Sequence, residues 1–442
     1  MSTGEASFGD TRAQHTRTEA DTVHRWGASI IDTLDTLLVL DMQDEYNLCR
    51  PHVNQLNFNW IAGKDWSQGY KAPESEGGWE VPRSSMTGLA VFESGIRYLG
   101  GLLGAYDLSG DQLMLDRAID IAGILGRAFN TKSGLPQGTR IDPGAESGIY
   151  TLHGVSIAEV GSMTLELMRL SQATGDRQWF DLAQRAMDYI DTKAAPRSVF
   201  KPLLPMSFIP DGDSTIHGSF SFGAMTDSYY EYLIKTYKLL GGGELAKQYK
   251  RLYAESIDEA RKVLFRDVTV VPNRDLMTIG KYEGGQLKLE TEHLACFAGA
   301  MLGLGAKLLD RPKDMTDAGK FTTTCYWIGA GTPTGIQPEV VAYYDPDDKS
   351  AYINKTIYGD NLHPPIKQPW TDDQYDRNKM HKNQQGEIFW SDDRSPVRND
   401  SGRKPGHPIA YYRYLQGNPP GAKTSTGYYI NRPETIESVF YM

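Results

Sequence analysis

Residues 93–125, ESGIRYLGGLLGAYDLSGDQLMLDRAIDIAGIL, read as one helix, a stop, and a second helix. In the first, LGGLLGAY is apolar or glycine on every face, so a helix formed there is buried all round. Gly110 and Asp111 then supply stop and restart chemistry: glycine for a left-handed C-cap, aspartate for an N-cap. Past Asp111, Leu115, Ala118, Ile119 and Ala122 recur at i, i+3, i+4 and i+7, the pattern of an amphipathic helix.

The same unit recurs along the chain. TLDTLLVLDMQDEY stops near Asp44, LELMRLSQATGD at Asp176, YLIKTYKLLGGGE near Gly243 and CFAGAMLGLGAKLLD at Asp310. With Asp111 included, successive stops lie 67, 65, 67 and 67 residues apart. Amphipathic runs follow, such as RQWFDLAQRAMDYI and ELAKQYKRLYAESIDEARKVLF. Apolar inner helices paired with amphipathic outer ones predict an all-α fold, an α/α toroid of helical hairpins. An open α-solenoid normally repeats at ~33–47 residues with short loops. We expect a single toroid domain over 26–442, preceded by a poorly ordered segment 1–25. Residues 345–426, rich in Pro, Asp, Asn and Lys, read as a long irregular insertion without its own core. NRPETIESVFYM starts a helix that is still short at Met442, so the last helices of the toroid are expected to be missing from this chain.

Composition excludes several functions. The charges sum to 46 − 56 = −10 and are interspersed, which argues against nucleic acid or an anionic membrane surface as partner. No stretch approaches the ~18–20 apolar residues of a membrane span. MSTGEASFGDTRAQHTRTEAD lacks the apolar core of a signal peptide. Cys49, Cys296 and Cys325 allow either one disulfide with a free thiol or three thiols. Sequons stand at Asn354 and Asn399.

Ionisable residues sit where buried helices should have none. Glu93 lies 18 residues before its stop, Glu159 17, Asp227 16 and His293 17. Helix-dipole preference explains any one of them. Four in register predict that the inner-helix starts converge at one mouth of the toroid. Crowded carboxylates have their proton affinities driven apart there, as a general acid and a general base require. Arg97 follows Glu93 at i+4, Glu231 follows Asp227 at i+4, and Glu166 follows Glu159 at i+7, so each pair shares a helical face. Arg432, Glu434 and Glu437 gather at the final helix start, and Glu339 follows Pro338 in GTPTGIQPEVV. No P-loop, dinucleotide fingerprint, zinc helix or nucleophile elbow is present. A carboxylate-rich, nucleophile-poor toroid suggests glycoside hydrolysis, which inverts at a carboxyl separation of ~6.5–9.5 Å and retains at ~5–5.5 Å.

FESGIRYLGGLLGAYDLSGD, DSYYEYLIK, EHLACFAGAMLGLG, PTGIQPE and RPETIESVFY, in that order, resemble the signature segments of glycoside hydrolase family 47, the class I α-1,2-mannosidases. The resemblance implies an (α/α)7 barrel and an inverting, calcium-dependent enzyme that trims mannose from high-mannose N-glycans. It would make Glu93 the proton donor and Glu434 the base, with Asp227 and Glu339 as further catalytic carboxylates. Arg97, Glu159, Glu231, His293, Arg432 and Glu437 would line the sugar subsite, with Asp32 and Asp35 nearby. It pairs Cys296 with Cys325 and leaves Cys49 free, and so implies the secretory pathway, in the endoplasmic reticulum or Golgi lumen, or secretion. Calcium would hold vicinal sugar hydroxyls, but the family's directly binding threonine lies in segments this sequence lacks, so no metal ligands are assigned. The partner implied is an α-1,2-mannoside met by a monomer, without nucleic acid or a membrane segment. Asn431 replaces a family leucine, Glu292 a family aspartate, and Met225 an arginine of single-mannose-removing members. The alternative is a catalytically inactive, lectin-like quality-control protein that binds mannose-type glycans, or an inactive fragment.

Overall fold

The computed structural model describes residues 26–61, 64–65, 89–138, 149, 151–268, 276–332, 335–343, 380–382, 388–390, 422–426 and 430–442. Segment 1–25, both sequons and most of 345–426 lie outside the described residues. The chain divides into two compact units, Met1–His217 with Lys235–Leu245, and Gly218–Ile234 with Ala246–Met442.

The first unit is helical. α1 (Ala28–Asp32), α2 (Leu34–Val39) and α3 (Gln43–Gln55) open it. α4 (Val91–Ser94) runs through a π-helical stretch, Gly95–Leu99, into α5 (Gly100–Ser109), and α6 (Gln112–Leu125) follows. α7 (Ile157–Gly161), α8 (Thr164–Thr174) and α9 (Arg177–Tyr189) repeat the arrangement. The stops are built as the sequence requires. Gly110 and Gly175 cap α5 and α8 at φ 68° and 73°, a backbone that glycine adopts without strain. Asp111 and Asp176 accept from the N–H groups of Leu113 and Gln178 at 3.1 and 3.0 Å. α5 buries Leu102 and Leu103, and such residues each contribute about 1.5–3 kcal/mol when fully buried. At Gly101 the helix rests on the Ile31 carbonyl so closely that no Cβ would fit. The first stop differs from expectation. The chain turns at Leu40–Met42, with Asp41 at φ 56°, and Asp44 is already in the first turn of α3. Two-residue strands β1 (Trp60–Ile61) and β2 (Lys64–Asp65) pair, as do β3 (Val155–Ser156) and β4 (Ser207–Phe208).

The second unit takes the first turns of α10 (Asp227–Leu239), then α11 (Lys247–Val263), α12 (Ala298–Leu309), α13 (Pro312–Ala330) and α14 (Glu434–Tyr441). α12, the apolar inner helix, is buried from Ala298 to Gly303. Its stop at Asp310 is left-handed at φ 55°, and Pro312 starts the next helix at a position where the missing N–H costs nothing. Arg261 of α11 bonds Asp317 at 2.7 Å and the fully buried Asp314 at 2.6 Å, which Arg311 also meets at 2.7 Å, tying α11 to α13.

Strands complete this unit; those before residue 345 carry no strand signal in the sequence, whereas the 345–426 insertion is open to short strands. β5 (Phe265–Val268) pairs with β6 (Leu276–Ile279), and β7 (Lys281–Glu283) with β8 (Gln286–Lys288). β9 (Glu290–Glu292) joins β10 (Val340–Tyr343); two further strands are β11 (Met380–Lys382) and β12 (Ile388–Trp390), and β13 (Ala422–Ser425) lies on the other side of β10. β6 is buried at every position, so it lacks the alternation that would mark a strand.

Candidate active site

Two groups of the expected residues assemble, one in each unit. In the first unit Glu93, in the short helix α4, accepts from Arg97 Nε at 2.7 Å, and Arg97 Nη1 reaches Asp32 at 3.2 Å. The π-helical stretch carries Arg97 while keeping it over Glu93, and such bulges recur at functional sites. Burial raises the Asp32 carboxyl above its ordinary value, against the pull of Arg97. Asp35 adds repulsion to Asp32 but makes no ion pair with Arg97. It accepts from Thr36 N–H at 2.6 Å and faces Gly104 of α5. Glu159 packs against Gly138, and Glu166 against Gly100. The expected shared face of Glu159 and Glu166 is not formed, because Ser162 and Met163 break the helix between α7 and α8 and the phase is lost.

In the second unit Asp227 stands at the start of α10, its Oδ1 accepting from Ser228 N–H at 2.8 Å. Desolvation pushes its carboxyl up to about 6, with Glu231 and Glu292 adding repulsion. The preceding turn holds Met225 at φ 67°, nearly half exposed. His293 is buried, which lowers its proton affinity although Glu339 opposes this, and its backbone N–H donates to the backbone carbonyl of Glu339 at 2.7 Å. The Glu339 side chain, only 8% exposed, accepts from Arg432 Nε at 2.6 Å. Glu434 opens α14 just beyond, and its carboxyl is raised by burial and by Glu339 and Glu437, with Arg432 opposing. Arg432 also lies in the field of Asp227. One oxygen of each of two carboxylates, Glu339 Oε2 and Glu434 Oε2, is buried without a hydrogen-bond partner. Such atoms cost free energy until a ligand or water bonds them.

The position of Glu434 is fixed from behind. Ser438, one turn on and fully buried, donates to the Cys296 carbonyl and accepts from Ala300 N–H at 2.8 Å. Thr435 donates to Gln337 at 2.8 Å, and Gln337 Nε2 lies 3.5 Å from Cys296 Sγ. Cys296 is disulfide-bonded to Cys325 of α13, and Cys49 is free. Ser438, Thr435 and Gln337 escaped the sequence reading. The one available signal was Ser438, a small hydroxyl at i+4 from Glu434, just ahead of the apolar run Val439–Met442. Among the described residues no group of three or more His, Cys, Asp or Glu side chains is arranged to hold a metal ion.

Comparison with known proteins defines the class. The model of glycosyl hydrolase family 47 matches residues 6–442, and the chain belongs to that family. The chain is 30% identical over 361 residues to a mannosyl-oligosaccharide 1,2-alpha-mannosidase of Candida albicans, covering 77% of this chain and 58% of that protein. It is 31% identical over 318 residues to the human endoplasmic reticulum mannosyl-oligosaccharide 1,2-alpha-mannosidase, covering 72% and 41%. The chain thus spans about half the length of the curated relatives it matches. The solved alpha-1,2-mannosidase of Trichoderma reesei superposes with a TM-score of 0.68 at 26% identity, over 95% of this chain and 73% of that one. That likeness shows the α/α barrel fold class expected from the sequence.

Proposed function

We propose that the chain carries the activity of an inverting α-1,2-mannosidase, releasing terminal mannose from high-mannose N-glycans as a monomer in the lumen of the secretory pathway. The observation that carries this reading is the pair of carboxylates Glu339 and Glu434, each with one buried, unbonded oxygen, beside Arg432. Glu434, raised by burial, makes a stronger base toward a bound water, and Arg432 offsets the charge concentrated around it. Asp227 keeps a proton into mildly acid solution, which suits a group working beside a departing alkoxide. Glu93 takes the proton-donor role given by the family resemblance. Arg97, Glu159, Glu231, His293 and Glu437 are assigned to sugar binding. One family model running across both units supports a single domain over 26–442. The relatives' names and the Cys296 disulfide support a luminal setting.

Calcium enters only through the family. Among the described residues no three His, Cys, Asp or Glu side chains gather to hold a metal ion, and no step is routed through calcium.

The test is release of mannose from an α-1,2-mannobioside, followed by NMR with calcium and with chelator. Release should give β-mannose first, stop with chelator, and fall by about 10²–10⁴-fold in Glu434→Gln. A folded, helical protein that releases nothing overturns the enzyme reading; if it still binds the mannobioside, the lectin-like alternative replaces it.

A further inference from the structure

We infer that Glu292 is a positioning residue for Asp227, acting through the peptide group between Gly223 and Ala224. This rests on the carboxylate-catalysed reading above. The N–H of that peptide, on Ala224, donates to Glu292 Oε2 at 2.8 Å. Its carbonyl, on Gly223, accepts from Asp227 N–H at 3.0 Å, from Thr226 N–H at 3.1 Å and from Thr226 Oγ1 at 2.9 Å. One peptide dipole therefore lies between the Glu292 carboxylate and the backbone that starts α10. A negative charge on the N–H side polarises the carbonyl and strengthens the bonds that hold Asp227, since hydrogen bonds in a chain reinforce one another.

Two further features belong to this device. Gly223 is buried, and a Cβ there would overlap the Glu292 carboxylate, so the missing side chain is what gives the glutamate its seat. Glu292 also ends β9, and the next residue, His293, donates its N–H to the Glu339 carbonyl. One strand end thus holds the turn before Asp227 and the segment bearing Glu339. The charged groups in the field of Asp227 are Glu231 on its own helix, Glu292 on β9, and Arg432 before α14. Glu292 is the one bonded to the turn itself.

The test compares Glu292→Ala, Glu292→Gln, Glu292→Asp, Gly223→Ala and the double variant Gly223→Ala/Glu292→Asp. Glu292→Ala should lower kcat by about 10- to 100-fold with KM changed less than about threefold, as for a residue whose effect falls on the transition state. Glu292→Gln keeps an acceptor for Ala224 N–H but removes the charge, so it should keep more of kcat and move the alkaline limb of the pH profile to lower pH. Gly223→Ala should be as damaging as Glu292→Ala, and shortening Glu292 to Asp should relieve it. A readout independent of turnover is the unfolding midpoint of the protein, of Asp227→Asn, of Glu292→Gln and of their double variant at pH 4 and pH 7.5. The pH-dependent gain from Asp227→Asn should shrink when Glu292 is already Gln. If the midpoints couple in this way but no mannose is released, the positioning stands and the mannosidase reading fails. If Glu292→Ala leaves kcat unchanged, or the midpoints do not couple and Asp at 292 fails to relieve Gly223→Ala, the inference is overturned.

Discussion

Asp227 shows how one side chain can weaken the fold in order to serve a site. Its carboxyl rises from the ordinary 3.8 to about 6, so folding favours the protonated form. Its stabilising contribution is complete below pH ~4 and is lost as the pH climbs through 6, on the order of 1–3 kcal/mol in all. Asp227→Asn stays neutral and escapes this loss. We expect the variant to unfold at a higher temperature than the parent at pH 7.5, with the gain vanishing near pH 4, while mannose release collapses. Calorimetry at the two pH values checks this, and an equal difference at both would refute the desolvation account. Glu339 and Glu434 carry a different cost, one buried oxygen each without a partner, which a bound water or sugar hydroxyl removes.

Among the elements, α14 carries the most consequence for its length. Only Ser438 of this eight-residue helix is buried, so little of its hold comes from apolar packing. Its grip is the hydroxyl of Ser438 between Cys296 and Ala300, with Thr435 on Gln337. Ser438→Ala strips a buried N–H and a carbonyl of their partner and should cost about 1–3 kcal/mol, measured by denaturant unfolding. It should also lower kcat, because Glu434 sits one turn away on the same helix. Unchanged kcat in a destabilised variant would mean that Arg432 alone fixes the carboxylate. The Arg261, Arg311, Asp314 and Asp317 network between α11 and α13 differs in kind, since its charges answer one another and leave little to bind a ligand.

For the whole molecule, what the sequence revealed follows from the physics of each signal. The hairpin stops were legible because Gly110, Gly175, Asp111 and Asp176 carry their own cap chemistry, and local chemistry needs no tertiary context. The placement of Glu93, Asp227 and His293 in the first turns of their helices was legible because an ionisable group breaks an apolar run. The break between Glu159 and Glu166 was not, since Gly161-Ser162-Met163 carries no strong stop signal. Strands of two to four residues such as β9 and β10 are too short to show a period, yet they place Glu292, His293 and Glu339. Glu292 itself read as a departure from a family pattern, and only the peptide group it bonds reveals its part. Cys296 presents both its carbonyl to Ser438 and its sulfur to the Cys325 bond, and closing the loop across their separation of 29 contributes about 3–4 kcal/mol. The support beneath Glu434 is therefore finished by oxidation after synthesis. Molecules trapped as dithiols should be synthesised in full yet stay catalytically immature, and activity should appear in step with thiol loss when such a preparation is oxidised. Full turnover by the trapped dithiol would show that maturation does not pass through this bond.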